Sequence, residues 1–158
     1  MGFAERAVMA CDKAMTNGTL SERHVRDVLR NKKVDVQPLA RHISSENLFV
    51  RMAVARIIGQ KGDVESILDD LITEEDPEVL RQFLCAIGTR GGDSVRALER
   101  MISSEDQLVR EEAISMLRRS GRADSLLPLL FDRDDSLVNR AKRYINEQKR
   151  QHTENPIS

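Results

Sequence analysis

The chain has 158 residues, a formal net charge of −1, 40% hydrophobic residues, 32% charged residues and 3% aromatics, with no Trp and one Tyr. That length allows one sizeable core, and the near-neutral balance excludes a globally basic nucleic-acid binder. Packing must come from Leu, Ile, Val, Met and Ala, and no apolar run approaches the ~20 residues that span a bilayer.

The N-terminal stretch is interrupted by Glu5, Arg6 and Asp12, so it reads as helix and not as a secretory signal. Residues 3–35 are expected to form a degenerate first unit. Ala10 and Ala14 sit on its first helix, Asn17-Gly18 makes a turn, and Ser21 caps a second helix carrying Val25, Val28 and Leu29. Repeat one, 36–63, places Val36, Leu39 and Ile43 on one helix and Val50, Val54, Ile57 and Ile58 on the next. It is expected to close at Gly59-Gln-Lys-Gly62.

Repeat two, 64–93, opens on an Asp63 cap. Val64, Ile67, Leu68, Leu71 and Ile72 follow at helical spacing. Glu74-Glu75-Asp76-Pro77 breaks that helix, and Pro77 suits the first turn of another, where its missing N–H costs nothing. Val79, Phe83, Ala86 and Ile87 face inward there; Gly88–Gly92 closes the unit and Asp93 caps the next. Repeat three, 94–124, has Val95, Leu98, Met101 and Ile102, then Val109, Ala113, Met116 and Leu117, and stops at Gly121. The last unit, 125–150, turns polar at Lys142 and Asn146, as an end cap should when nothing stacks on it. Residues 151–158 have no periodicity and are expected to be a disordered tail.

Three columns hold these units in phase. Val50, Val79, Val109 and Val138 form one. Leu39, Leu68, Leu98 and Leu127 form the second, and Ile43, Ile72, Ile102 and Phe131 the third, all at steps of 29 or 30. Such a period means one supersecondary unit stacked several times. The fold expected is all-α: a right-handed α–α superhelix of about five helical hairpins in a single domain, 1–150. Val8 and Met15 in the first unit are expected to be partly exposed, leaving a monomer or a weak homodimer.

The phrases Val50-Arg51-Met-Ala53-Val-Ala-Arg-Ile-Ile58-Gly59-Gln-Lys-Gly62-Asp63 and Val109-Arg110-Glu-Glu-Ala113-Ile-Ser-Met-Leu117 resemble HEAT-like repeats, in the short-repeat group of phycobilisome-lyase type. The resemblance covers residues 36–148 well and the first 35 weakly. It implies that the second helices line a concave face. It also implies a ladder in which an acid between the helices bonds an arginine on the second helix. Glu46 and Arg51, Asp76 and Arg81, Glu105 and Arg110, and Asp135 and Arg140 have that spacing.

The same arginines could instead line a groove. Arg51, Arg81, Arg110 and Arg140, with Glu111 and Arg143, are the residues expected to meet a protein partner; ladder and surface remain alternatives. Residues 63–78 are acidic without a basic residue, while both ends of the chain are basic. That segregation reads either as solvated helix faces or as a field that orients a partner.

No catalytic or cofactor constellation is legible. His24, His42 and His152 are isolated, no CxxC or HExxH occurs, and Cys11 and Cys85 are expected to be buried free thiols. The function expected is a non-enzymatic, cytoplasmic interaction scaffold for a protein partner, with no cofactor, metal or membrane. Two alternatives stand beside it. The resemblance implies a lyase-like subunit acting on a tetrapyrrole-bearing protein. The basic ends allow a nucleic-acid backbone binder, against which the missing stacking aromatics argue. Phe83 and Phe131, two of the four Phe, are assigned to core columns.

Overall fold

The computed structural model describes residues 1–88, 90 and 94–154. Among them there is helix and no strand. The chain divides into two compact units, residues 1–90 and 91–158.

The first unit holds three hairpins. They are α1 (Phe3–Asn17) with α2 (Glu22–Arg30), a 3₁₀ helix (Gln37–Ser44) with α3 (Leu48–Lys61), and α4 (Glu65–Ile72) with α5 (Pro77–Ile87). The 3₁₀ helix packs against both α1 and α4, while α3 packs against both α2 and α5. Two layers result, first helices in one and second helices in the other. Val28, Leu39, Val54, Ile57, Ile58, Ile67, Phe83 and Ile87 are fully buried in this unit.

Local signals start these helices, Ser21 as the sequence predicts and Asn47 and Asp76 in addition. Ser21 and His24 form a capping box on α2. Asn47 accepts the Phe49 N–H at 2.9 Å to cap α3, and Asp76 accepts the Glu78 N–H at 2.9 Å to cap α5 ahead of Pro77. Gly18 takes φ 73° to close α1. Gly59 behaves differently from the expectation. It lies inside α3, and a Cβ there would stand 2.7 Å from Ala86 Cβ on α5. It is a close-approach glycine, not a terminator. The expected closure at Gly91-Gly92 and the Asp93 cap lie outside the described residues.

The second unit holds α6 (Val95–Met101) with α7 (Gln107–Arg119), and a 3₁₀ helix (Ala123–Phe131) with α8 (Asp135–Glu154). Its core contains Leu98, Ile102, Val109, Ala113, Leu117, Leu126, Leu137 and Ala141. Gly121, at φ 70°, follows α7. Lys142 and Asn146 face solvent. Helix α8 runs to Glu154, so Gln151–Glu154 are helical where the sequence suggested a tail.

Four column residues are not buried in the core. Leu127 and Phe131 are 51% and 90% exposed. Pro128 supplies no N–H to an α-helical ladder, and the segment winds with three residues per turn. Ala123, Leu126 and Leu129, at strict intervals of three, are buried in their place. Ile72, 49% exposed, occupies the last position of α4, beyond the buried stripe Val64, Ile67, Leu68 and Leu71. Val138 is only half-buried. Val8 and Met15 are buried, contrary to the expectation of partial exposure, and Cys85 is exposed rather than buried. Cys11 is buried, and burial pushes its thiol up to about 11, so it stays protonated and inert.

Candidate interaction surface

The arginine series does not form the rungs its spacing suggested. Arg51 donates Nε–H to Glu74 Oε2 at 3.1 Å and Nη1–H to the Ser45 carbonyl at 2.8 Å; Glu46 takes no part. Arg81 pairs with Glu78 one turn back on α5, and Asp76 is used up as the cap. Arg110 donates to the backbone carbonyls of Ser104 and Glu105 at 2.7 and 2.9 Å, while its buried Nε has no acceptor. Arg140 reaches Glu111 at 3.6 Å. Arg143 is exposed and lies 5.2 Å from the Tyr144 ring, whose other neighbour is Arg118 at 4.5 Å. Arg51–Glu74 and Arg140–Glu111 do link successive repeats, but with acids other than those the resemblance implied. Most of the series is thereby committed inside the fold.

A second ladder was missed. Lys61, Arg90, Arg119 and Gln148 follow one another at steps of 29. Lys61 donates to the carbonyls of Val28 and Asn31 at the end of α2. Arg90 Nη1 donates to the carbonyls of Ile58, Gly59 and Gly62 at the end of α3, at 3.3, 3.2 and 2.7 Å. Gln148 Oε1 accepts the Ala123 N–H at 2.8 Å, just past α7. Lys61 and Arg90 satisfy orphaned carbonyls at a helix C-terminus, where cations are also favoured by the dipole, whereas Arg119 pairs with Glu112 on its own helix at 3.2 Å. Burial lowers the Lys61 pKa. A polar column on the same period as the apolar ones was the signal for it.

His42 is also tied into the frame. His42 Nε2 lies 2.7 Å from Asp12 Oδ1, and Arg41 Nη2 lies 2.8 Å from the same atom. The His42 hydrogen bond and Arg41 hold the Asp12 carboxyl below the usual range against the opposing effect of burial. This cluster joins α1 to the first 3₁₀ helix. Among the described residues no group of His, Cys, Asp and Glu could hold a metal ion.

The second-helix layer carries the open feature. A groove of about 210 Å³ is lined by Leu20, Ser21, Glu22 and Val25 from α2 and its approach, by Phe49, Met52, Ala53 and Arg56 from α3, and by Gln82 from α5. Phe49 is 73% exposed on it. Arg56 Nη1 meets Glu22 Oε1 at 2.8 Å on the rim. The wall on α3 follows from spacing, because positions 49, 52, 53 and 56 share one helical face. None of the arginines expected to meet a partner lines this groove. Its sequence signal was the composition of α3, which is apolar around most of its circumference and so exceeds what one buried stripe needs.

The HEAT repeats family matches residues 64–144, about half of the chain. The chain belongs to the HEAT-repeat family. No curated protein and no solved structure matches it. The matched HEAT segment begins at Val64, yet residues 1–63 also fold into helical hairpins. No helix among the described residues is long and apolar enough to cross a membrane.

Proposed function

We propose that the protein is a non-enzymatic interaction module: a right-handed superhelix of HEAT hairpins that receives a segment of a protein partner on its second-helix layer. HEAT repeats generally mediate contacts between proteins, which supports the class. The observation that carries the site is the groove around Phe49. A Phe left 73% exposed forgoes most of the ~1.5–3 kcal/mol its burial would contribute, and a partner's apolar side chain would recover it. The layer is ordered by stacking beforehand, so binding costs little conformational freedom.

Size bears on the alternative of a tetrapyrrole-handling subunit. At about 210 Å³ the groove is smaller than the ~300–1,000 Å³ of sites that enclose small molecules, and it suits one or two side chains. The experiment is affinity enrichment with the wild-type chain and with Phe49→Ser/Met52→Ser, after both are shown to melt alike. Specific loss of a defined partner from the double variant supports the reading. Retention of the same partners by both proteins would refute it.

A further inference from the structure

We propose that the groove selects an acidic segment of its protein partner, seating one apolar side chain against Phe49 while carboxylates engage arginines on α2. The proposal rests on the reading of the groove given above and adds the partner's charge.

Glu22, Arg26 and Arg30 fall at successive four-residue steps, so they form one row along α2 beside the groove wall at Val25. Arg26 and Arg30 are exposed and make no hydrogen bond or ion pair with any described residue. The two carboxylates on α2 are already engaged: Glu22 with Arg56 at 2.8 Å and Asp27 with Arg23 at 3.9 Å. The charge left unpaired along this row is therefore positive. A partner helix with acids one turn apart, ~5.4 Å of rise, matches the Arg26–Arg30 spacing. Glu22 acts as an internal competitor: its pair with Arg56 is solvent-exposed and exchangeable, so an incoming carboxylate can take over the guanidinium.

The test titrates the full isotope-labelled chain with two synthetic peptides of equal length and one central Phe, flanked by Glu and Ala or by Lys and Ala. The proposal expects the Glu peptide to shift backbone amides of α2 and α3 around Phe49, and the Lys peptide to leave them unmoved. Arg26→Glu/Arg30→Glu, at exposed sites that should not disturb folding, weakens the Glu peptide by about tenfold or more at low salt. Glu22→Gln tightens it several-fold by freeing Arg56. A Lys peptide that binds equally well, or neither peptide perturbing these amides, overturns the proposed charge preference. A Glu peptide that binds regardless of its own Phe and of Phe49→Ser would retire the groove reading as well.

Discussion

Arg51 and Glu74 close one repeat onto the next through a carboxylate that works twice. Glu74 Oε2 accepts the Arg51 Nε–H at 3.1 Å while its Oε1 accepts the Asp76 N–H at 3.1 Å. The second unit repeats half of this device. Asp132 Oδ1 accepts the Asp134 N–H at 2.8 Å, as Glu74 does for Asp76, and Arg110 bonds the Ser104 carbonyl as Arg51 bonds that of Ser45. Asp132 is one methylene shorter than Glu74, and Arg110 Nε is left buried without an acceptor.

Asp132→Glu should therefore supply the missing acceptor and raise stability by about 1 kcal/mol, the scale of a buried donor gaining its partner. The corresponding rise in melting temperature is ~2–4 °C. Glu74→Asp should act in the opposite direction. Thermal melts of the two variants check both signs.

Gly59→Ala sets two effects against each other. Helix propensity favours Ala by about 1 kcal/mol in a helix interior. The new methyl would lie 2.7 Å from Ala86 Cβ, which has no flexible end to move aside, and overpacking costs ~1–3 kcal/mol. Steric crowding should win, so the variant is expected to unfold at lower urea concentration than the wild type.

The two leucines at 126 and 127 separate the winding of the 123–131 segment from the column pattern. Leu126 is fully buried and Leu127 is 51% exposed. Leu126→Ala should cost ~2–5 kcal/mol, and Leu127→Ala should stay within about 0.5 kcal/mol of the wild type. Equal losses would mean that the segment turns as an α-helix.

Those two residues also mark how far the fold was legible in the sequence. Period and hairpins followed from apolar spacing and from Ser21, Asn17-Gly18 and the break at Asp76-Pro77, because these signals act within a turn or two of chain, while the caps Asn47, Asp76 and Asp106 went unread. Leu127 and Phe131 were misplaced because a column carried over at a constant step assumes constant winding, and Pro128 changes the winding. Arg51 was recognised, but its partner was not: Glu46 is close in sequence, while Glu74 is brought in only by stacking the next hairpin. The groove was missed for a similar reason. It forms where three second helices meet: the apolar excess of α3 marks one wall, but nothing local in Glu22 or Gln82 declares the meeting.

Asp12 gives the tie between α1 and the first 3₁₀ helix a pH dependence. The hydrogen bond from His42, with Arg41 beside it, depresses the Asp12 pKa in the folded chain. A depressed carboxylate stabilises the fold fully above its unfolded value of about 3.9, and that contribution disappears as pH falls through the lower folded value. Wild type should exceed Asp12→Asn in denaturant midpoint at neutral pH. The gap should close below about pH 4. A gap that persists unchanged in acid would contradict this account of the tie.

The face around Phe49 is the proposed working surface. A photo-reactive phenylalanine analogue at position 49 tests it most directly, with position 131 as the control because Phe131 is the more exposed of the two, at 90% against 73%. Illumination in expressing cells should give a discrete cross-linked protein from position 49, lost when Met52→Ser or Arg56→Glu is added, and none of that species from position 131. Cross-links of the same protein from both positions, or from position 131 alone, would contradict the claim.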